Sequence, residues 1–440
     1  MKVLLIQSSR YWPDGRLDRR KSRWLMGITL PYIAALTPKD IQVSIKDDML
    51  EEITFKEDCD LVGLACMSHQ APRGYEIAAG FRRRGIPVVM GGFHATLAQE
   101  ECQEHADALV LGEAEESWPL LLRDFQAGRL QPLYQAANRS DLKNLPVPRY
   151  DLLNLQKYEI KNTPLQTTRG CPYNCSFCEV TPFHGSKFRH RPADEVIHEI
   201  REVRRLTGSN LLYFVDDNFV GHRGHAVELA EKMIPHKLIY GCMATVNVGD
   251  DPELLDLLAR SGCGHLNIGI ESISPESLKA INKKQNKIKD YERQLKAIRD
   301  RGIGFSVNVM FGLDGDDPGI FEATVDFLIR AKVPTAFMFI MAPRPGTKIQ
   351  EQLLKEGRIF DHDWSHYSGF RVVYHPKHMS ARQLEEGYWR ANRRFYSLLS
   401  MLRRGIALNP LNPHSLTMLI FNLYFAWSVR RRFQPQDYYF

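Results

Sequence analysis

The chain has 440 residues, of which 44% are hydrophobic and 25% are charged, and its formal net charge is +6. This length and composition fit a large intracellular enzyme in which two or three domains each bury a core. A disulfide-dependent fold is excluded because the cysteines outside one short cluster are scattered. No signal peptide opens the chain, so we expect the reducing environment of the cytoplasm.

The positive charge is confined to the C-terminal tail. From Gly387 onwards the sequence has eight Arg, no Lys and one acidic residue, Asp437, which leaves the rest of the chain close to neutral. The basic residues lie beside an apolar stretch rather than beside stacking aromatics on a sheet. We therefore expect no nucleic acid among the partners.

Residues 1–135 alternate between apolar, strand-like runs and helical stretches. Residues 1–7 are typical of a strand buried on both faces. Further strands are predicted at 41–45, 61–66, 88–90 and 108–111, with helices near 25–36, 71–84 and 114–127. This order predicts a doubly wound, Rossmann-like α/β domain that binds ligands beyond the carboxyl ends of its strands.

Two of these strand ends carry a candidate ligand site. Gly91, Gly92 and His94 follow one strand, and Gly112 and Glu113 follow another. Paired glycines let a bulky ligand approach the backbone, and the Glu-rich segment equally suits the first turn of a helix. His94 either contacts a ligand or is satisfied by the backbone of a turn.

Residues 136–160 are polar and interrupted by proline, which predicts a linker. Strands are then predicted at about 165–169, 211–216, 238–245, 265–270, 304–311 and 335–341, and helices near 193–206, 223–235, 251–261, 275–300 and 318–331. Residues 161–347 thus predict a partial (β/α)6 TIM-like barrel with its chemistry at the carboxyl ends of the strands. Residues 348–440 are expected to form a mainly helical extension.

Cys171, Cys175 and Cys178 follow the first predicted barrel strand with the spacing Cys-x3-Cys-x2-Cys. Thiolates suit iron–sulfur clusters, and a four-iron cluster normally takes four, so three local thiols can leave one iron open. The alternative is a structural zinc site with His184 as the fourth ligand. No second Cys/His pair recurs at zinc-finger spacing, which favours the cluster.

The cysteine loop and the two N-terminal glycine motifs together resemble the radical S-adenosylmethionine (SAM) enzymes that contain a cobalamin-binding domain. In that family a Gly-Gly-x-His segment and a Gly-Glu-x-Glu segment precede the cysteine loop in this order. The resemblance covers roughly residues 1–350. It implies a 4Fe–4S cluster on the three cysteines, SAM on the open iron, cobalamin at the glycine motifs, and a flavodoxin- or ferredoxin-type electron donor.

The resemblance also implies SAM contacts at the ends of the barrel strands. A carboxylate suits the ammonium group of SAM, and a glycine turn lies beside adenine in the family. The implied contacts are Asp216, Asp217, Asn218, Glu271, Ser272, Gly312 and Gly315. The alternative for residues 216–218 and for Ser272 is a helix cap. Arg344, after the sixth strand, either faces the substrate or pairs with an acid.

The family's mechanism implies that a 5′-deoxyadenosyl radical takes a hydrogen atom from an unactivated carbon, which methylcobalamin then methylates. The expected function is therefore C-methylation of a small or lipid-like substrate. The alternatives are a cobalamin-dependent cyclase, rearrangement enzyme or oxidoreductase, and, from another class, a non-enzymatic iron–sulfur or zinc module. The Asp-x-His-x-x-Gly signature that supplies a cobalt ligand in other cobalamin proteins is absent from residues 1–135. We therefore expect cobalt without a histidine ligand from that motif.

Residues 416–429 are strongly apolar and precede Arg430, Arg431 and Arg432. Fourteen helical residues cover about 21 Å, short of a hydrocarbon core of about 30 Å, so this helix should not span a membrane. It is instead an ordinary core helix, a helix packed over the active site, or a helix in a membrane interface. The last alternative adds peripheral membrane association to the expected cytoplasmic location.

Overall fold

The computed structural model describes residues 1–12, 14–405 and 413–432. Its strands are β1 (Lys2–Gln7), β2 (Arg23–Leu25), β3 (Gln42–Asp47), β4 (Leu61–Ala65), β5 (Val88–Gly91), β6 (Ala108–Leu111), β7 (Leu133–Gln135), β8 (Tyr158–Leu165), β9 (Thr168–Arg169), β10 (Arg189–His190), β11 (Leu211–Phe214), β12 (Ile239–Thr245), β13 (Cys263–Glu271), β14 (Gly304–Phe311) and β15 (Thr335–Ile340). Its helices are α1 (Thr29–Leu36), α2 (Ala71–Arg82), α3 (Phe93–Leu97), α4 (Gln99–His105), α5 (Ser117–Gln126), α6 (Val180–His184), α7 (Ala193–Thr207), α8 (Arg223–Met233), α9 (Pro252–Ser261), α10 (Pro275–Ala280), α11 (Tyr291–Arg299), α12 (Ile320–Arg330), α13 (Lys348–Lys355), α14 (Ala381–Phe395), α15 (Leu398–Arg403) and α16 (Pro413–Arg430).

The first sheet is parallel throughout and has the order β3-β1-β4-β5-β6-β7. Its central strand β4 is buried at every residue because the sheet is covered on both faces. Phe81 from α2 belongs to the core on one face, and Trp118 from α5 belongs to the core on the other. This confirms the doubly wound α/β fold. The sequence pattern missed the edge strand β7 and the short helices α3 and α4.

The second sheet is also parallel and has the order β15-β14-β13-β12-β11-β8-β2. Its strands β8 and β11 to β15 are the six of the expected partial barrel, which confirms that architecture. The first barrel strand was placed wrongly at 165–169, since β8 spans Tyr158–Leu165. Residues 168–169 form β9, which pairs antiparallel with β10 and leads into the cysteine loop.

The seventh strand of the second sheet comes from the N-terminal part of the chain. Arg23 pairs with Tyr158 and Leu25 with Asn162, so β2 lies parallel to β8. The helix predicted at 25–36 therefore begins only at Thr29. The local pattern of residues 23–25 contains no signal for this pairing, because the partner strand lies more than 130 residues away.

The helix predicted at 275–300 is two helices, α10 and α11, with a non-helical segment between them. Asn282 adopts a left-handed conformation, with φ of +56°, two residues after α10 ends. Its side-chain amide donates to the carbonyl oxygen of Asn174 at 3.0 Å, within the cysteine loop. The helix is thus interrupted where the chain makes a long-range contact with that loop.

The C-terminal helix α16 contacts both outer strands of the second sheet. The ring of Phe421 lies 5.5 Å from that of Trp24 in β2, and the ring of Phe425 lies 6.0 Å from that of Phe337 in β15. One face of this helix is therefore packed against the barrel. Within the described ranges, no helix combines the length and apolar character needed to cross a membrane.

Candidate active site

The three cluster cysteines lie on the loop between β9 and α6, and all three are partly exposed. The other five cysteines are buried elsewhere. The loop begins at Gly170, whose φ is +88° and where an added Cβ would collide with the backbone oxygen of Lys187. Burial raises the pKa of all three thiols, that of Cys178 to about 12. They would therefore bind as thiolates only where iron compensates the charge.

The zinc alternative loses its fourth ligand in the structure. His184 contacts Glu113 instead, with 2.9 Å between Nδ1 and Oε1. Zinc takes four protein ligands in structural sites, whereas three thiols on one loop suit a four-iron cluster with one open iron.

Asp216 and Asp217 follow β11 but do not cap a helix. Asp216 is fully buried and accepts hydrogen bonds from Thr167 N at 2.7 Å and Thr168 Oγ1 at 2.9 Å. Asp217 accepts one from Gly170 N at 3.0 Å. Burial raises the pKa of Asp216 to about 7, although these hydrogen bonds oppose the shift. Asp216 thus braces the strand end before the cysteines, and its expected contact with SAM stays a prediction.

The helix-cap alternative for residues 216–218 is wrong. His222 caps α8 by accepting a hydrogen bond from the backbone of His225. Asn218 is 2% exposed, and neither its amide oxygen nor its amide nitrogen has a partner within the described part of the chain. A buried amide without partners is unfavourable, so Asn218 remains a candidate ligand contact.

Glu271 ends β13 and forms a buried ion pair with Lys283, with 2.8 Å between Oε1 and Nζ. Its φ is +62°, an uncommon conformation for a glutamate, at an irregularity in the pairing of β13 with β14. Burial opposes the charge of Lys283, but Glu271, Cys175 and Cys178 raise its pKa to about 12. Lys283 was not predicted as a site residue because it lies in the segment predicted as a continuous helix.

Ser272 accepts a hydrogen bond from the backbone of Ser274, and Ser274 caps α10. Ser272 thus supports the start of α10 without being its N-cap. Its contact with SAM stays a prediction.

The glycine turn after β14 is held from inside the protein. Asp316 accepts hydrogen bonds from Gly312 N at 2.9 Å and from Ser277 Oγ at 2.5 Å. Tyr374, from the C-terminal extension, donates to the carbonyl oxygen of Gly312 at 2.6 Å. An added Cβ at Gly315 would lie 2.5 Å from the backbone nitrogen of Ser277. The space beside Gly312 and Gly315 is therefore occupied by neighbouring residues, among them Tyr374 and Ser277.

Arg344 was predicted either to face the substrate or to pair with an acid, and in the structure it pairs with an acid. Its guanidinium lies 2.7 Å from Oε2 of Glu179, the residue directly after Cys178. The following Thr347 caps α13, and the backbone of Ile349 donates to Ser176 O at 3.0 Å. The segment after β15 therefore supports the cysteine loop at Glu179 and Ser176.

A cleft opens between the carboxyl ends of the first sheet and the barrel. It contains about 1380 Å³ of space free of protein atoms, part of it open to solvent. Gly92 and Gly112 lie on one wall, and Arg169 and Asp217 lie on the other. Gly112 has a φ of +69°, and an added Cβ there would meet no protein atom within 4 Å. The cleft can thus accept a bulky ligand against the backbone of Gly112.

Glu113, which follows β6 of the first sheet, contacts α6 and the β9–β10 ribbon beside this cleft. Its carboxylate binds the guanidinium of Arg189 at 2.5 Å as well as His184, and Glu115 binds Arg169 at 2.7 Å. Burial opposes ionisation, but hydrogen bonds from Arg189 and His184 hold the pKa of Glu113 well below its usual range. The Glu-rich segment does not form the first turn of a helix, because α5 begins only at Ser117.

His94 is buried behind the cleft, which Phe93 lines instead. Its Nε2 lies 2.8 Å from the hydroxyl of Tyr75, and its Nδ1 has no partner within the described residues. Burial lowers the pKa of His94 to about 4, so the ring is neutral near pH 7. The side chain of His94 is therefore hydrogen-bonded to a tyrosine. The sequence had predicted either a ligand contact or a hydrogen bond to the backbone of a turn.

Comparison with known proteins agrees with this arrangement. The B12 binding domain family model matches residues 30–122, and the radical SAM superfamily model matches residues 165–328. The chain is 28% identical to bacteriochlorophyllide d C-12(1)-methyltransferase of Chlorobaculum tepidum over 86% of this chain and 84% of that protein. It is 27% identical to hopanoid C-2 methylase of Rhodopseudomonas palustris over 76% of this chain and 65% of that protein.

The fold matches a solved structure over nearly its whole length. The radical SAM methyltransferase TsrM from Kitasatospora setae, with cobalamin and a 4Fe–4S cluster bound, superposes with a TM-score of 0.69 at 18% identity. The match covers 98% of this chain and 99% of TsrM. The chain belongs to the radical SAM enzymes that contain a cobalamin-binding domain. Its cofactors are a 4Fe–4S cluster, SAM and cobalamin.

Proposed function

We propose that this enzyme methylates an unactivated carbon with SAM and cobalamin. The observation that carries the proposal is the shared cleft, in which Gly92 and Gly112 of the first sheet face Arg169 and Asp217 of the barrel. The cysteine loop starts directly after Arg169. Cobalamin on the first wall and SAM at the loop would thus be next to one space, where a substrate carbon can reach both cofactors.

The chain's own residues would bind and orient these groups. Cys171, Cys175 and Cys178 would hold the cluster, which supplies one electron to SAM when bound. Glu271 and Lys283 present one negative and one positive group beside the loop, which suits the ammonium and carboxylate of the methionine part of SAM. The ion pairs of Glu113 and Glu115 would keep the two walls together and restrict water.

We infer that the substrate is a small, largely apolar molecule, such as a lipid or a fused-ring compound. The relatives named above methylate a bacteriochlorophyllide and a hopanoid by their names. The cleft itself is lined mainly by apolar side chains, among them Leu64, Phe93 and Phe183. Such a lining binds apolar surface and leaves orientation to a few polar groups.

The test is reconstitution with iron, sulfide and cobalamin, followed by incubation with SAM labelled in its methyl group and a cell extract. We expect label in an apolar small molecule in which a carbon has gained the methyl group. The matched control is Cys175→Ala, which should transfer no label. Cleavage of SAM without label in any extract component would favour the cyclase, rearrangement or oxidoreductase alternative.

We also propose peripheral membrane contact through α15 and α16. Their most exposed apolar residues are Leu398, Leu399, Leu402, Ile420, Leu423 and Trp427, which are 44–63% exposed. A hydrogen bond from buried Arg404, directly after α15, to Asn422 of α16 at 3.0 Å holds the two helices next to each other. Exposed Arg403, Arg430 and Arg432 flank it. Apolar side chains flanked by arginines match an anionic bilayer surface.

A further inference from the structure

Exposed lysines are concentrated in a segment that contacts the cysteine loop. Residues 279–289 contain five lysines and no acidic residue. Lys283 is buried and forms an ion pair with Glu271. Among the described residues, the other four lysines of this segment form no ion pair with a carboxylate. We call five exposed lysines the lysine face. Four are in this segment (Lys279, Lys284, Lys287 and Lys289), and the fifth, Lys348, is the first residue of α13.

Backbone hydrogen bonds join this face to the cysteine loop. Ser176 N donates to Ile281 O at 3.0 Å, and Ser176 O accepts from Ile349 N, next to Lys348, at 3.0 Å. Ser176 lies between Cys175 and Cys178, and both of these cysteines are partly exposed. The two lysine-bearing segments thus both contact the cluster loop at Ser176, where the loop is partly exposed.

We propose that the lysine face is the docking surface for a small acidic protein that carries one electron. The inference rests on the proposed function, because SAM cleavage requires a reduced cluster. In the step, the reduced carrier loses one electron and the cluster gains it, and no bond is formed or broken. Lysines around a redox centre attract an acidic partner over long range and orient it, while the complex stays weak enough to separate.

The arrangement favours a protein carrier over other anionic partners. The carrier's redox centre must come close to the cluster, and the lysines lie beside the part of the loop that reaches the surface. The exposed apolar residues that would suit a membrane lie on α15 and α16 instead. The segment 279–289 also has no aromatic residue on which a nucleic-acid base could stack.

The test compares two triple variants with the same change of charge. Lys284→Glu, Lys287→Glu and Lys289→Glu together reverse the lysine face and leave Lys283 intact. The control combines Lys39→Glu, Lys56→Glu and Lys161→Glu, three exposed lysines that belong to neither the lysine face nor the cysteine loop. The Kd of a purified acidic flavodoxin is measured by flavin fluorescence at low salt, and SAM cleavage is followed with reduced flavodoxin and, separately, with dithionite.

We expect the lysine-face variant to bind flavodoxin about tenfold more weakly or worse, and the control variant to keep the wild-type Kd. SAM cleavage driven by flavodoxin should fall accordingly, whereas cleavage driven by dithionite should match the wild type. Wild-type flavodoxin binding should also weaken as salt is raised. Equal Kd values in the two triple variants, or a Kd that does not respond to salt, would overturn the proposal.

Two further measurements keep the result decisive. If the charge-reversal variant fails to assemble its cluster, the set Lys284→Gln, Lys287→Gln and Lys289→Gln replaces it, and an unchanged Kd there overturns the proposal. A short oligonucleotide that binds the face more tightly than flavodoxin does would also overturn it. If wild-type protein cleaves no SAM even with dithionite, the proposed function fails, while the flavodoxin Kd still tests the docking surface.

Discussion

Lys283 Nζ lies 2.8 Å from Glu271 Oε1, and each side chain is only 9% exposed. Removing one partner of a buried pair leaves an uncompensated charge. We predict that Lys283→Met lowers the free energy of unfolding by about 3–5 kcal/mol, and that Lys283→Met with Glu271→Met recovers most of this loss. Urea unfolding of the cluster-free proteins measures both values. Equal stability of the single variant and the wild type would contradict a buried ion pair.

The same double variant separates stability from binding. Although it should fold, it lacks both charges beside the cysteine loop. We therefore expect its reconstituted form to keep the iron content of the wild type but to bind SAM about tenfold more weakly or worse. Equilibrium dialysis with labelled SAM measures the affinity. Wild-type SAM affinity in the double variant would leave the pair with a purely structural role.

Replacing Cys171, Cys175 or Cys178 singly with Ala should abolish both cluster assembly and SAM cleavage, because two local thiolates cannot hold a four-iron cluster with an open iron. The matched controls are Cys59→Ala, Cys102→Ala and Cys263→Ala, which remove buried thiols away from the loop. These controls should retain wild-type iron after anaerobic reconstitution. Full SAM cleavage by any loop variant would show that the cluster is assigned to the wrong residues.

Asp216 should make stability depend on pH. Its pKa is raised by burial from 3.8 to about 7, so the folded protein binds a proton more tightly than the unfolded chain does. The free energy of unfolding should therefore fall as pH rises between about 4 and 7, by roughly 1.4 kcal/mol per pH unit from this residue. Urea unfolding at about pH 5 and pH 7 should show a shallower fall in Asp216→Asn. Identical slopes in both proteins would refute the shift.

The membrane proposal is tested on the exposed surface of α15, because deletion of α16 would also remove buried Phe425 and Asn422 from the barrel. Leu398→Ser with Leu402→Ser should reduce flotation with phosphatidylserine vesicles roughly tenfold or more. Leu354→Ser, which changes a leucine that is 51% exposed on α13, is the control. Equal flotation of all three proteins would remove the membrane argument.

Cobalamin should bind without an axial nitrogen from the protein or from its own dimethylbenzimidazole tail. The Asp-x-His-x-x-Gly signature is absent, and Nε2 of His94 is engaged by Tyr75. Electron paramagnetic resonance of the cob(II)alamin form should show no strong axial nitrogen splitting, and His94→Gln should give the same spectrum. A clear nitrogen triplet in the wild type would disprove this coordination.

The fold was predictable where a strand is a continuous apolar run, as in β1 and β4. The spacing of the three cysteines likewise indicated the cluster loop. Contacts between distant residues were not predictable, because no local pattern encodes them. Glu113 looked like a helix residue, yet it pairs with Arg189, and Asn282 interrupts a helical pattern to reach Asn174. Lys283 was missed for the same reason.

Strand β2 has a practical consequence for dissecting the enzyme. Because β2 pairs with β8, a fragment that starts at residue 136 would expose the backbone donors and acceptors of β8 along an unpaired edge. Such edges recruit strands from other chains. Separately expressed halves of this protein should therefore aggregate or require each other for solubility, and a cobalamin-free barrel is better obtained by withholding cobalamin from the full chain than by truncation.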